Sequence, residues 1–235
     1  MQGMAAALLT AALAGLWAFL HSGWPPVPHR LARRAVRHIV WFGGMTLLGL
    51  LALGQWRAPS QTPAVFDPAR ALVVALVGGG LDVAAAWPWA LGGIVAGGTI
   101  IGLVERWRGR PFGLGDVEAV MPRTPRELGW GVILSLTAGV MEEGYFRLLL
   151  PLLATLATGS AVVGFGLATL LFGAAHRYQG WKGMIATAVT GALLAAVYLA
   201  SGALWVAIAL HVAIDLNALV ARPVVSGRVR FGDTA

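Results

Sequence analysis

Apolar residues form long runs along the whole chain, and short stretches between these runs hold most of the polar side chains. A helix that crosses the hydrocarbon core of a bilayer needs roughly 20 mainly apolar residues. The pattern therefore predicts an all-α, polytopic transmembrane bundle of about seven spans. We place the spans at Met4–Leu20, Ile39–Leu53, Trp89–Val104, Leu128–Leu153, Ala161–Ala175, Gly183–Leu199 and Ala203–Val220.

One apolar stretch, from Ala71 to Val104, is longer than a single span. Asp82 and the sequence Trp87-Pro88-Trp89 interrupt it, and we expect the helix to break there. The part before the interruption, Ala71–Leu81, is too short to cross a bilayer. We therefore predict that Ala71–Leu81 forms an interfacial or re-entrant helix.

The polar stretches divide the chain into four parts. We predict N-terminal transmembrane helices over 1–104, a basic cytoplasmic loop over 105–127, a catalytic transmembrane core over 128–220 and a cytoplasmic tail over 221–235. Arginines concentrate in the polar stretches, and basic loops normally remain in the cytoplasm. We accordingly expect an integral protein of a prokaryotic inner or plasma membrane, with a cytoplasmic C-terminus and, because the span count is odd, an external N-terminus.

Composition agrees with a lipid environment. The chain is 58% hydrophobic and 11% charged, with a mean hydropathy of +0.76. Its net charge of +7 comes from arginines between apolar runs, which is typical of membrane topology and not of a nucleic-acid surface. Cysteine is absent, which excludes disulfides and a thiolate nucleophile. The first run could also be a signal peptide, but its arginines follow the apolar residues, which favours an anchored span.

The fourth predicted span contains three charged residues, Glu142, Glu143 and Arg147. One ionised side chain at the bilayer centre costs roughly 2.5–3.5 kcal/mol on insertion scales, so these residues need internal partners. Glu143 and Arg147 are four apart and share a helix face, whereas Glu142 points about 100° away. We predict that Glu143 pairs with Arg147 and that Glu142 faces a cavity and a water molecule. A purely structural salt-bridge cluster that locks helices together is the alternative.

Two later spans each add a histidine in a four-residue spacing. Phe172 precedes His176, and His211 precedes Asp215, so each pair lies on one face of its helix. A single buried histidine is often only a packed side chain, but two of them beside a carboxylate pair indicate a site. The remaining histidines, His21, His29 and His38, lie near span ends or in a basic stretch, and we assign them no function.

Together these motifs carry a resemblance to a known family. Glu-Glu-x-x-x-Arg at 142–147, Phe-x-x-x-His at 172–176 and His-x-x-x-Asp at 211–215 occur in the order found in the CAAX-protease and bacteriocin-processing membrane proteins, relatives of the type II CAAX prenyl endopeptidase. The chain resembles this family over roughly residues 112–220. The resemblance implies an intramembrane endopeptidase whose active site is buried among the C-terminal spans.

The resemblance also implies roles for individual residues. Glu142 would act as general base and activate a water molecule together with His176, while His211 and Asp215 would stabilise the oxyanion. Burial of a carboxylate in an apolar cavity disfavours its charged form, which suits a group that must accept and return a proton. The supporting residues would be Glu143, Arg147 and Phe172.

Asp215 departs from relatives that have asparagine at this position. An ionised aspartate cannot donate a hydrogen bond, so Asp215 is either protonated or it orients His211 and stabilises that residue as a cation. We favour the second interpretation.

The sequence leaves alternatives open for the cofactor, the substrate and the functional class of the protein. His-Glu-x-x-His is absent, yet His176, His211 and Glu142 could supply the three ligands of a catalytic zinc ion. We favour a site without a cofactor. The expected partners are the lipid bilayer and a membrane-embedded peptide or protein substrate of CAAX type, with no nucleic acid. The competing interpretation is a non-catalytic membrane scaffold or immunity-type protein that binds a partner; a transporter is disfavoured because internal repeats are missing.

Overall fold

The computed structural model describes residues 2–21, 30–77, 83–113 and 115–231, and within these ranges it contains helices and no strands. This confirms the predicted all-α, polytopic bundle. The helices are α1 (Gln2–His21), α2 (Arg30–His38), α3 (Gly44–Ala52), α4 (Asp67–Val77), α5 (Val83–Arg108), α6 (Pro125–Glu143), α7 (Leu150–Thr158), α8 (Ala161–Ala175), α9 (Gly180–Ser201), α10 (Leu204–Leu216) and α11 (Arg222–Val225).

In three places a π-helical segment joins two consecutive α-helices into one continuous helical rod. The segment Ile39–Gly43 joins α2 to α3, Gly144–Leu149 joins α6 to α7, and Asn217–Ala221 joins α10 to α11. A π segment is a wide turn that is rare in proteins and frequent at functional sites. Each of these helix pairs is therefore one continuous rod with a local widening.

By length and composition, five helices in the described part of the chain could cross a membrane. They are Gln2–His21, Arg30–Ala52, Ala85–Arg108, Arg177–Ser201 and Leu204–Val225, and Ala161–Ala175 is a shorter apolar helix.

The predicted break at Trp87-Pro88-Trp89 is wrong, because Pro88 lies inside α5. It stands in the second turn of that helix, and membrane helices tolerate proline when the freed backbone groups find other partners. Asp82 and the last four residues of the predicted Ala71–Leu81 helix lie outside the described residues, and the helix seen there is α4, which begins at Asp67.

Hydrogen bonds show which loops share an end of the bundle. At one end, the Thr62 hydroxyl donates to the carbonyl of Gly202 at 2.7 Å. At the other end, side chains of three arginines tie loops and helix ends together: Arg30 to the carbonyl of Met121, Arg177 to that of Leu20, and Arg222 to the carboxylate of Glu105. The basic stretches around 105–127, 176–182 and 222–230 therefore meet at one end, as the alternation of spans predicts.

The α6–α7 rod lies in the centre of the core. Tyr145 and Phe146 are buried, and their rings contact Phe42 at centroid distances of 5.0 and 5.4 Å. The Tyr145 hydroxyl donates to the carbonyl of Ala12 in α1 at 2.7 Å. These contacts hold the rod against α1 and the second span at the level of the two glutamates.

A close approach between α6 and α10 depends on a glycine. A Cβ atom at Gly139 would lie 2.5 Å from Cγ2 of Val212, so a larger residue would push the helices apart. The glycine brings the neighbouring His211 next to the end of α6. Helix α10 thus reaches the glutamates because α6 carries no side chain at this position.

Candidate functional site

A cavity of about 90 Å³ lies toward the arginine-rich end of the bundle, between α2, α6, α10 and the end of α8. All four residues predicted to be catalytic, Glu142, His176, His211 and Asp215, line it. The volume holds several water molecules. The structure therefore brings together side chains from three helices whose convergence the sequence alone left open.

Glu143, the neighbour of the cavity residue Glu142, connects α6 to α10. Its side chain is fully buried, and its Oε2 lies 3.1 Å from Nε of Arg147, which is the ion pair that the spacing predicts. Its Oε1 lies 2.6 Å from Nδ1 of His211, a contact that the sequence did not predict. Because an ionised carboxylate only accepts, the imidazole donates from Nδ1. The Nε2 atom of His211 is thereby directed toward Glu142 and Asp215.

Arg147 and Phe172 support the site by stacking. The guanidinium carbon of Arg147 lies 4.1 Å from the centroid of the Phe172 ring, a cation–π contact between two buried groups. The same ring contacts His176 and His211 at centroid distances of 4.9 and 5.9 Å. Phe172 therefore contacts the ion pair and both histidines.

His176 follows the last residue of α8. Its Nδ1 lies 2.9 Å from the carbonyl oxygen of Phe172, which can only accept, so this nitrogen carries the proton. The Nε2 atom remains available to the cavity that His176 lines.

Asp215 lies beside His211, which the sequence interpretation expects it to orient and to stabilise as a cation, but the two do not form a hydrogen bond. Its Oδ2 lies 3.8 Å from Nε2 of His211, beyond hydrogen-bond distance, and its side chain is 26% exposed. Glu143, not Asp215, orients His211 through the opposite ring nitrogen. Asp215 remains close enough to act on His211 through its charge.

Glu142 presents two different carboxylate oxygens. Oε1 lies 2.8 Å from Nε2 of His38, whereas Oε2 has no hydrogen-bond partner among the described residues. Oε2 is 4.0 Å from Nε2 of His211, a separation that one water molecule can bridge. The expectation that Glu142 is free to face a cavity thus holds for one oxygen only.

His38 is the functional-site residue that sequence reasoning missed. It is 1% exposed, and its Nδ1 lies 2.8 Å from the carbonyl of Arg34, which also lines the cavity. The second span thus adds His38 to a site whose predicted residues lie among the C-terminal spans. The sequence signal for it is the four-residue spacing of Arg34 and His38, which is the same as in the pairs Phe172–His176 and His211–Asp215.

His21 does not line the cavity. His21 is exposed, and its Nδ1 lies 2.8 Å from the carbonyl oxygen of Trp17. His29 lies outside the described residues.

A metal site is not formed by the side chains as they stand. Across residues 2–21, 30–77, 83–113 and 115–231, no group of three or more His, Cys, Asp or Glu side chains is arranged to hold an ion. Glu142, His176 and His211 have donors of the type that zinc binds, and hydrogen bonds at Nδ1 of the two histidines are also found in zinc sites, but one Glu142 oxygen contacts His38.

The π-helical segments begin beside the site residues. Ile39 directly follows His38, Gly144 directly follows Glu143, and Asn217 comes two positions after Asp215. Two of these segments extend from the level of His38 and Glu143, whereas Leu219 in the third packs beside Gly131, near the start of α6. The order of features on each rod is a functional side chain followed by the wide turn.

Comparison with known proteins gives a family match. Residues 124–217 match the family model described as Type II CAAX prenyl endopeptidase Rce1-like. No curated protein and no solved structure matches the chain. The matched segment contains both glutamates, Arg147 and the histidines at 176 and 211, whereas His38 precedes it. Over this segment, which is less than half of the chain, the protein is similar to the Rce1-like type II CAAX prenyl endopeptidases.

Proposed function

We propose that the protein is an intramembrane endopeptidase that hydrolyses a peptide bond of a membrane-associated or CAAX-type protein or peptide. The observation that carries this proposal is Oε2 of Glu142, a buried carboxylate oxygen with no hydrogen-bond partner among the described residues, in a cavity that Glu142 shares with His176 and His211. An unpaired buried carboxylate oxygen is unfavourable unless a water or a substrate group occupies the space beside it. The cavity has room for that water.

In the proposed mechanism, Glu142 acts as the general base. Oε2 takes one proton from the water, assisted by His176, and the water oxygen attacks the carbonyl carbon of the peptide bond. The carbonyl π electrons move to its oxygen, which becomes an oxyanion. His211 stabilises that oxygen from Nε2, with Glu143 holding the ring and Asp215 stabilising its positive charge.

Collapse of the tetrahedral intermediate completes the reaction. The proton on Glu142 passes to the peptide nitrogen, the carbon–nitrogen bond breaks, and an amine and a carboxylic acid leave. Glu142 returns to its ionised form, so the residues finish as they began.

We further propose that these steps need no metal. The support is geometric: one oxygen of Glu142 contacts His38, and among the described residues no three His, Cys, Asp or Glu side chains are arranged around one point as metal ligands. The alternative is a zinc ion held by Glu142, His176 and His211, which would polarise the same carbonyl and the same water.

The proposed orientation follows from charge. Arg106, Arg108, Arg110, Arg123 and Arg126 lie at or near the end of the bundle closest to the cavity. Because short basic loops stay in the cytoplasm, we place this end and the C-terminus there, in a prokaryotic inner or plasma membrane. A substrate would then meet the cavity near the cytoplasmic surface.

The test compares the termini of membrane proteins by mass spectrometry in native cells. The cells carry wild type, a gene deletion, Glu142→Gln, or the control Glu118→Gln at an exposed surface pair. Loss of the same termini in the deletion and in Glu142→Gln, but not in the control, supports the protease and identifies its substrates. Wild-type termini in Glu142→Gln, together with altered termini in the deletion, would support the scaffold or immunity-type protein.

A further inference from the structure

His38 contacts the carboxylate that the proposed function uses as its base, although it lies outside the family-matched segment. We propose that His38 is a positioning residue of the active site, which holds Oε1 of Glu142 and thereby presents Oε2 to the attacking water. The inference rests on the proposed function and adds a residue from the second span to it.

Both ring nitrogens of His38 have a hydrogen-bonding partner, which sets the orientation of the ring. Nδ1 of His38 lies 2.8 Å from the carbonyl oxygen of Arg34, and because a carbonyl only accepts, this nitrogen must donate. The other ring nitrogen, Nε2, lies 2.8 Å from Oε1 of Glu142. A proton must lie between these two atoms, carried by either partner, since two lone pairs would repel each other at that distance.

The packing around His38 leaves the ring no other position. It is 1% exposed, and it contacts the rings of Phe19 and Phe42 at centroid distances of 5.5 and 5.6 Å. The turn of α2 that carries His38 is also bound to α1, because the Arg37 guanidinium donates to the carbonyl of Phe19 at 2.7 Å. The imidazole is therefore held by two helices and acts on Glu142 as a rigid partner.

The consequence concerns the orientation of the carboxylate. A glutamate without a partner rotates about its last bond and interchanges its two oxygens. With Oε1 bound to His38, Oε2 is left beside the cavity at 4.0 Å from His211 Nε2, where a water can sit between them. Misplacement of a reacting group by 1 Å can lower the rate by about 100-fold, so loss of this contact should reduce turnover.

The experiment compares two substitutions that separate positioning from packing. His38→Gln retains an amide N–H that can donate to Oε1 but loses the ring. His38→Phe retains the ring but loses the donor. The matched control is His21→Gln, since His21 makes the same kind of bond to a carbonyl four residues earlier and has no carboxylate partner within the described part of the chain.

Purified variants are assayed with an internally quenched peptide that ends in a prenylated CAAX sequence. If that peptide is not cleaved, a peptide spanning a cleavage site from the terminus comparison replaces it. Rates are divided by the amount of monodisperse protein, so that loss of folded enzyme does not count as loss of turnover. We expect His38→Phe to lower kcat about 100-fold and to change KM by no more than about twofold. For His38→Gln we expect a kcat about tenfold higher than that of His38→Phe. His21→Gln should match wild type.

The order of the two variants decides the inference. A kcat for His38→Phe that equals or exceeds that of His38→Gln would overturn it, because the ring and not the donor would then matter. Glu142→Gln separates this failure from failure of the proposed function. If Glu142→Gln is inactive while the order is reversed, only the role of His38 is wrong; if Glu142→Gln cleaves like wild type, the proposed mechanism is wrong and the role of His38 fails with it.

Discussion

Glu143 and His211, 68 positions apart in the chain, are joined by a 2.6 Å hydrogen bond between a carboxylate oxygen and Nδ1 of the imidazole. Glu143 also forms the ion pair with Arg147, so one buried carboxylate holds a cation on its own rod and a histidine on another. The position of His211 in the cavity is therefore coupled to the pair Glu143–Arg147.

Glu143→Gln should destabilise the fold. The substitution leaves the buried Arg147 guanidinium without its negative partner, and breaking a buried pair in this way typically costs about 3–5 kcal/mol. Denaturation of the purified protein with sodium dodecyl sulfate measures the change in the free energy of unfolding. The control, Glu118→Gln, breaks the exposed pair with Arg228 and should cost at most about 1 kcal/mol. Equal effects of the two variants would contradict the structural role of Glu143.

Asp215→Asn should lower kcat by roughly tenfold, a smaller loss than in Glu142→Gln. The reason is that Asp215 does not hydrogen-bond His211 but lies 3.8 Å from it, so its contribution is its charge, and a loss of about 1.4 kcal/mol corresponds to a factor of 10. Steady-state kinetics on the peptide substrate measure this. Full activity of Asp215→Asn would contradict a role for its charge and favour a neutral hydrogen-bond donor at this position.

Gly139→Ala should reduce activity by moving α10. The added methyl group would lie 2.5 Å from Cγ2 of Val212 and 3.1 Å from its backbone nitrogen, so the helix that carries His211 must shift. Gly129→Ala is the matched control on the same helix, where a Cβ meets nothing within 4 Å and alanine should stabilise the helix by about 0.5–1 kcal/mol. Peptide cleavage and thermal stability in detergent distinguish the two. An active Gly139→Ala variant would show that the α6–α10 spacing is not critical.

Removal of metal should leave activity unchanged under the proposed mechanism. The purified enzyme is treated with a zinc chelator, and its zinc content is measured by mass spectrometry together with the cleavage rate. We expect zinc well below one ion per chain and full activity. Activity that falls with chelation and returns on addition of zinc would support a metal site at Glu142, His176 and His211.

The fold was largely predictable because the bilayer sets the length of each apolar run. Ala161–Ala175 begins and ends as the pattern predicts, and the other spans differ mainly at their ends. The break expected at Pro88 does not occur, since a membrane helix tolerates proline where neighbouring groups satisfy the freed backbone atoms.

The site was predictable only where its contacts are local. The pair Glu143–Arg147 lies four residues apart on one helix, and that spacing is written in the sequence. The contacts of His38 with Glu142 and of Glu143 with His211 join different helices. Helices that are apolar on every side give no periodic signal of which face meets a neighbour, so these contacts depend on packing.

The three π-helical segments also affect how this chain aligns with other proteins. One residue inserted into a regular α-helix turns everything beyond it by about 100°, and a wide turn absorbs that extra residue locally. Alignment with a relative whose helices are regular at these points would need a one-residue gap directly after His38, after Glu143 or just after Asp215. Such gaps fall in the middle of membrane helices, so a comparison that allows gaps only in loops would place the residues beyond each segment one position out of register.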